Sequence, residues 1–198
     1  IAPQENIEAA LDLLETAERP LALVGKGMAW AQAEDEVRDF IDRTQIPFVR
    51  SPMGKGVMPD EHPLAASAAR TLALQQADVI FLMGARFNWI FHFGLPPRFA
   101  PDVKVIQLDI APEEIGHNKP AEVALVGDGK SIMTQMNQAL EGRQWFYPAD
   151  TPWRTAINEK TESNRNTLQA QLNDDQAPAN YYRALRDIAA WMPDNAIL

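Results

Sequence analysis

A run of five apolar residues, Val79–Met83, lies between Asp78 and Gly84 and constrains the fold more than any other stretch. A short apolar run bounded by turn-forming residues is typical of a strand buried on both faces of a parallel sheet. Gly84 lets the backbone turn without a Cβ, and Arg86 follows just past the strand. Ligands of open α/β sheets bind beyond this edge. The alternative is a surface arginine paired with a carboxylate.

Strands and amphipathic helices alternate along the chain. Apolar runs predict strands at residues 21–24, 46–49, 79–83, 103–108 and 121–126. Helical periodicity predicts helices at residues 4–17, 33–44, 64–76 and 131–140, with a brief helical turn at 112–115. This alternation predicts an α/β fold, a Rossmann-like parallel sheet flanked by helices. Right-handed crossovers then bring the carboxyl ends of all the strands to one edge.

The sequence changes character after Gly142. We predict a Rossmann-like domain over residues 1–143 and a linker over 144–178, which holds a long polar helix at 152–172. Residues 179–198 read as the truncated start of another α/β domain, with an amphipathic helix at 180–192 and a strand beginning at Asn195. The chain begins at Ile1 without Met, and both ends indicate a piece of a longer polypeptide.

Composition excludes several classes of function. The 198 residues carry a net charge of −9, which argues against nucleic-acid binding because that requires a basic face. There is no cysteine, and therefore no disulfide, thiol nucleophile or cysteine metal site. No apolar run approaches the roughly 20 residues of a membrane span, and no signal peptide is visible. We expect a cytoplasmic protein. The three histidines are scattered without metal-ligand spacing.

Charged residues fall just beyond four of the predicted strands: Lys26, Arg86, Asp109 and Asp128. Two cations can neutralise phosphates, arginine as a bidentate fork and lysine as a point charge. An acid at a strand end can accept hydrogen bonds from ribose hydroxyls, and a second acid can accept from an exocyclic amine. The set suits a nucleotide such as ADP. Two ordinary ion pairs between neighbouring loops are an equally weighted alternative.

A stretch of small residues, Ser67-Ala-Ala-Arg-Thr71, occurs in the helix predicted at residues 64–76. Small side chains permit the close approach of a ligand, and Arg70 could bind a phosphate. The alternative is a small-residue helix packed tightly on the sheet, which the residues alone favour.

Five motifs together resemble the central domain of 2-hydroxyacyl-CoA lyases, and oxalyl-CoA decarboxylases are similar over the same span. The motifs are Pro20-Leu-Ala-Leu-Val-Gly-Lys-Gly27, Pro52-Met-Gly-Lys-Gly56, Gly84-Ala-Arg-Phe-Asn-Trp89, His92-Phe-Gly-Leu-Pro-Pro-Arg-Phe99 and Gln107-Leu-Asp-Ile110. Each is weak alone, but the combination is specific and covers nearly the whole chain. The run from His92 favours the lyase.

The resemblance implies a full-length enzyme of three domains, a homo-oligomer (tetramer), that uses thiamine diphosphate and Mg²⁺. The lyase cleaves a 2-hydroxyacyl-CoA to formyl-CoA and an aldehyde. Residues 1–143 then correspond to the central domain, and residues 179–198 to the start of the diphosphate-binding domain. The family's catalytic glutamate and metal motif lie outside this chain, so no catalytic residue carries over and the chain alone is expected to be inactive.

The resemblance also implies ligand sites. The decarboxylases hold ADP as an activator in this domain, and the matching positions are Lys26, Arg86, Asp109 and Asp128. CoA is placed against Ser67, Ala68, Ala69, Arg70 and Thr71, and against Asn164 in the linker helix. Two alternatives to an ADP- and CoA-binding domain of a lyase remain, an oxalyl-CoA decarboxylase and a non-catalytic scaffold that has lost nucleotide binding.

Gly127-Asp128-Gly129 imitates the diphosphate–metal motif of thiamine enzymes. That motif needs an asparagine roughly two dozen residues later, at the end of an apolar strand. Asn158 lies at about that distance but in a polar helix. We therefore interpret these residues as a strand end and predict no metal ligand.

Overall fold

The computed structural model describes residues 1–193 and 195–196 and contains a five-stranded sheet. Its strands are β1 (Pro20–Val24), β2 (Phe48–Arg50), β3 (Val79–Met83), β4 (Lys104–Asp109) and β5 (Val123–Val126). They lie in the order β2-β1-β3-β4-β5, and every neighbouring pair is parallel. The α/β class and the parallel sheet predicted from the sequence are confirmed.

Seven α-helices occur in the described residues: α1 (Gln4–Glu15), α2 (Lys26–Trp30), α3 (Glu34–Thr44), α4 (Arg70–Gln76), α5 (Gly129–Glu141), α6 (Pro152–Leu172) and α7 (Tyr181–Trp191). The short helix α2 was not predicted from the sequence, and Gly25 is its N-cap. The helix predicted from Leu64 also starts later, with a 3₁₀ turn at Ser67–Ala69 before α4. The backbone of residues 64–66 pairs with Phe48 instead.

The core lies between the sheet and its helices. All residues of β1 and β3 are buried, as expected for central strands covered on both faces. The amphipathic helices α1 and α3 each turn one apolar stripe inward, and Phe40 of α3 meets Phe81 of β3 edge to face, with ring centroids 5.7 Å apart. This packing holds the sheet rigid, and the sheet in turn positions the loops that follow the carboxyl ends of its strands.

The long helix α6 is anchored at its start. The Trp153 indole is buried and donates a hydrogen bond to the Pro20 carbonyl oxygen at 3.0 Å, and Ile157 is buried beside it. No residue of α7 is buried. The strand predicted from Asn195 falls largely outside the described residues. Within those residues, no helix combines the length and hydropathy needed to cross a membrane.

A topological switch point lies between β1 and β3, because the chain passes from β1 to β2 on one side and then crosses to β3 on the other. The loops after β1 and β3 meet there through backbone alone. Gly25 donates to the Met83 carbonyl oxygen at 2.8 Å, and Gly27 donates to that of Gly84 at 2.9 Å. Gly84 has φ of +55°, and a Cβ built on Gly27 would lie 2.7 Å from the Gly84 Cα. Glycine is therefore required at this crossing.

Candidate functional site

A cavity of about 460 Å³ opens at the carboxyl edge of the sheet, above the switch point. The segments that follow all five strands contribute to its lining. The four charged residues that the sequence singled out all line it: Lys26, Arg86, Asp109 and Asp128. These four residues therefore lie together at one edge of the sheet, as the sequence predicted. Their roles in binding a ligand remain predictions.

Arg86 and Asp109 form a bidentate ion pair in this cavity. Arg86 Nε lies 3.0 Å from Asp109 Oδ2, and Arg86 Nη2 lies 3.2 Å from Asp109 Oδ1. Arg86 Nη1 reaches Glu114 Oε1 at 3.0 Å. The hydrogen bond to Asp109 is the main reason that the pKa of Arg86 is raised above its ordinary value. The Arg86 guanidinium, which could hold a phosphate, is therefore already bound to the carboxylates of Asp109 and Glu114.

Asp109 is the buried member of the pair, with a relative exposure of 4%. Its Oδ1 also accepts a hydrogen bond from the Ala111 backbone N–H at 2.9 Å. A buried carboxylate needs such partners to offset its desolvation. Both oxygens of the Asp109 carboxylate, which the sequence predicts to accept hydrogen bonds from a ribose, are thus bound by Arg86 and the Ala111 N–H.

Lys26 begins α2 and is exposed at the cavity mouth. Its Nζ lies 5.1 Å from the centroid of a Trp30 ring, which is within the range of a cation–π contact. Among the described residues, Lys26 has no carboxylate within ion-pair distance. Its charge therefore faces the cavity without neutralisation, in contrast to the charge of Arg86.

Asp128 is the N-cap of α5. Its Oδ2 accepts a hydrogen bond from the Ser131 backbone N–H at 2.9 Å, and this bond is the main cause of a pKa lowered from 3.8. The carboxylate thus satisfies a helix terminus while it lines the cavity. Within the described residues, no three histidine or acidic side chains are grouped so as to hold a metal ion.

Sequence reasoning missed the apolar rim of the cavity. Trp30 is 75% exposed, Met53 57% and Ile110 70%, and all three line the opening. They follow β1, β2 and β4, so the strand-end position that identified the charged residues could have identified them too. Large exposed apolar groups at a cavity mouth are the surface that a flat, aromatic ligand group covers.

The Ser67–Thr71 segment does not line the cavity. Asn164 of α6 is brought against it and donates a hydrogen bond to the Ala68 carbonyl oxygen at 2.7 Å. Thr71 Oγ1 accepts from Arg98 at 3.1 Å, while Ser67 is exposed and Ala69 is buried. The residues predicted to contact CoA are therefore together, on a surface separate from the cavity.

A parallel sheet with a switch-point crevice, a backbone floor of glycines and an acid at the end of β4 defines a Rossmann-like α/β domain. The chain belongs to the family of thiamine pyrophosphate enzyme central domains, whose sequence profile matches residues 7–136.

Similar curated proteins include 2-hydroxyacyl-CoA lyases and oxalyl-CoA decarboxylases. The chain is 42% identical to 2-hydroxyacyl-CoA lyase 1 of Homo sapiens, over 98% of the chain and 33% of that protein. It is 46% identical to 2-hydroxyacyl-CoA lyase of Oryza sativa subsp. japonica, over 93% and 32% respectively. It is 40% identical to oxalyl-CoA decarboxylase of Escherichia coli K12, over 96% and 33%. The chain spans about a third of the length of these relatives, and the resemblance read from its motifs is confirmed.

Proposed function

We propose that this chain is the nucleotide- and CoA-binding central domain of a thiamine diphosphate-dependent 2-hydroxyacyl-CoA lyase. In this proposal the parent enzyme cleaves a 2-hydroxyacyl-CoA to formyl-CoA and an aldehyde. The similarity to lyases of two kingdoms supports the reaction. The observation that carries the nucleotide site is the convergence of Lys26, Arg86, Asp109 and Asp128 in one cavity.

In this proposal, ADP occupies the cavity once Arg86 and Asp109 exchange partners. The ribose hydroxyls replace the Arg86 guanidinium on the Asp109 carboxylate, which is the acceptor that such folds use for ribose. The Arg86 guanidinium then turns to the diphosphate beside Lys26. Two cations neutralise the negative charge of the diphosphate better than Lys26 alone. Asp128 accepts from the exocyclic amine, and the apolar rim covers the base. A single rearrangement thus satisfies the roles proposed for Arg86 and Asp109.

Thiamine diphosphate and Mg²⁺ belong to the parent enzyme in this proposal, not to this chain. The described residues do not fit them, because Asp128 is committed to the cap of α5 and has no companion metal ligands. We expect the chain alone to show no lyase activity. We also expect no tight binding of thiamine diphosphate, which calorimetry with Mg²⁺ present checks. Micromolar, Mg²⁺-dependent binding would require Asp128 to be reconsidered as a metal ligand.

CoA is proposed to lie against residues 67–71, with Asn164 holding that segment through Ala68. The other domains of the parent chain and further copies of it in a tetramer complete the proposed assembly. An isothermal titration of CoA into the parent enzyme checks the site. Asn164→Ala should weaken binding, while Gln169→Ala, an exposed position further along α6, should not.

An oxalyl-CoA decarboxylase is the second candidate, supported by the relative from Escherichia coli. The groups that touch the reacting carbons lie outside this chain in either case. Incubating the full-length parent with each acyl-CoA separates the two, since the lyase releases formyl-CoA and an aldehyde whereas the decarboxylase releases CO₂.

The nucleotide site is tested by titrating ADP into the full-length parent, as wild type and as Asp109→Asn. The asparagine keeps the shape and removes the charge, so we expect a loss of roughly 1–3 kcal/mol, about tenfold to a hundredfold in affinity. Asp102→Asn, an exposed carboxylate outside the cavity lining, is the matched control. Equal affinities for all three proteins, or no binding at millimolar ADP, would leave the scaffold alternative as the better account.

A further inference from the structure

We propose that Arg70 is a positioning residue for the cavity, which holds the wall formed by Ile90 and Phe91 in the arrangement that accepts a nucleotide. This inference rests on the proposed function in that the cavity takes ADP. Arg70 lies at the start of α4, in the segment where the sequence suggested a phosphate contact. Its contacts in the structure give it a task toward the cavity wall.

Two contacts connect Arg70 to the cavity wall. Its Nη2 donates a hydrogen bond to the Ile90 carbonyl oxygen at 3.2 Å. Its guanidinium carbon lies 5.0 Å from the centroid of the Phe91 ring, a cation–π geometry. Ile90 and Phe91 both line the cavity, whereas Arg70 does not. Arg70 therefore contacts the wall without lining the cavity itself.

This wall needs an anchor because its own backbone is strained. Residues Trp89–Gly94 form a kinked 3₁₀ segment, in which His92 has φ of 47° and Phe93 has φ of 57°. Residues with a Cβ rarely adopt this left-handed conformation, and it persists only where the surroundings impose it. Asn88, the residue just before the segment, caps it by accepting a hydrogen bond from the Ile90 N–H at 3.0 Å. Arg70 adds a contact from a separate helix.

The surroundings of Arg70 also point to this task. The guanidinium is partly buried, and burial is the main cause of its lowered pKa, with the nearby Arg98 lowering it further. Within the described part of the chain, no carboxylate lies within ion-pair distance of Arg70. A desolvated cation without a counter-ion is retained here through its bonds to a carbonyl oxygen and a ring.

The test compares Arg70→Gln, Arg70→Lys and the control Arg98→Gln. Arg98 donates a hydrogen bond to Thr71 and to no residue of the wall, so its replacement removes a neighbouring guanidinium and that one bond but no hydrogen bond to the wall. Hydrogen exchange of the amides of residues 89–94 is measured without ligand, and ADP is titrated into the full-length parent. Thermal unfolding is recorded for each variant to separate positioning from general destabilisation.

We expect Arg70→Gln to speed exchange in residues 89–94 roughly tenfold while exchange in β1 and β3 stays unchanged. If the wall holds the binding-competent arrangement for only a fraction of the time, the apparent ADP affinity is multiplied by that fraction, so it should fall roughly three- to tenfold. Arg70→Lys keeps the cation over Phe91 and should recover part of both effects, and Arg98→Gln should change neither.

Unchanged exchange in residues 89–94 of Arg70→Gln would overturn the inference, as would faster exchange with unaltered ADP affinity. If the wild type binds no ADP but Arg70→Gln still speeds exchange in the wall, the proposed function fails while Arg70 stands as the anchor. Equal effects of Arg70→Gln and Arg98→Gln would also overturn it, because a general loss of charge would then explain both.

Discussion

Arg86 holds Asp109 through two parallel hydrogen bonds, 3.0 and 3.2 Å long, across the mouth of the cavity. One partner is buried, while the Arg86 side chain is 46% exposed. Because Asp109 is buried and Arg86 is partly exposed, any opening of the pair would move the arginine and not the acid. The carboxylate is then the fixed part of the site and the guanidinium its movable part.

This asymmetry predicts the result of a double-mutant cycle. Arg86→Gln leaves the buried Asp109 carboxylate with little beyond the Ala111 N–H, so the free energy of unfolding should fall by about 1–2 kcal/mol. This value allows for the solvent exposure of Arg86. The double variant with Asp109→Asn should lose less than the sum of the single variants, measured by urea unfolding. Glu114→Gln is the control and should cost under about 0.5 kcal/mol, since Arg86 keeps Asp109. Strict additivity would contradict the pairing.

Gly25→Ala should destabilise the domain strongly. The new Cβ would meet the Gly84 carbonyl oxygen and lie 2.7 Å from the Ala85 Cα, and backbone atoms move only at a large cost. We expect a loss of about 3 kcal/mol in the free energy of unfolding, measured by chemical denaturation. Gly142→Ala is the matched control, because nothing lies within 4 Å of its Cβ position and its φ is −81°. A similar loss of unfolding free energy in both variants would mean that the clash at the glycine crossing is not the cause of the destabilisation.

Removing the Asp128 cap should produce a loss that depends on pH. Asp128→Ala should lower the free energy of unfolding by about 1 kcal/mol near pH 7. The folded-state pKa of Asp128 is depressed below 3.8, chiefly by the Ser131 N–H. The charge-dependent part of this stabilisation is therefore present above that value and lost as pH falls through the lower, folded-state pKa.

Urea unfolding near pH 7 and near pH 2 checks this prediction. The difference between wild type and Asp128→Ala should shrink at the lower pH. Asp128→Asn caps the helix without a charge, so it should retain most of the stability with little pH dependence of its own. A difference for Asp128→Ala that grew on acidification would contradict this account of the cap.

The docking of α6 depends on Trp153. Trp153→Phe keeps a large ring in the core but removes the N–H that satisfies the Pro20 carbonyl oxygen, so a loss of about 1–3 kcal/mol is expected. Thermal unfolding monitored by far-UV circular dichroism measures it. Leu168→Ala, at a 40% exposed position of the same helix, should cost much less. Equal losses would show that the buried hydrogen bond does not hold the helix.

Local patterns predicted most of the fold. The apolar runs that end at Val24 and Met83 coincide with observed strand ends, because buried central strands leave an unbroken signal. The run that ends at Val126 also coincides with a strand end, although β5 is a partly buried edge strand. The helix α2 was missed since five residues carry no periodicity. The late start of α4 was missed because the backbone around Ala65 pairs with β2, an interaction between distant parts of the chain.

The site was predictable to a smaller extent. Strand-end position identified the charged residues, because parallel topology alone brings them together. The contact of Arg86 with Glu114 depends on loop geometry across 28 positions, which no local pattern encodes. Met53 and Ile110 have the residue types of a core, so residue type alone did not mark them as a cavity rim; their position just after β2 and β4 was the signal available.

The crossing of Gly25, Gly27 and Gly84 leaves the sequence of the cavity floor less free to diverge than the sequence of its rim. Its floor is main chain, where an added side chain collides with backbone, so we expect selection on folding alone to disfavour changes there. Its rim consists of exposed side chains on separate loops, such as Met53 and Ile110, whose replacement disturbs little of the core. Descendants of one ancestral domain could therefore acquire different ligand preferences by drifting at the rim while inheriting an unchanged floor.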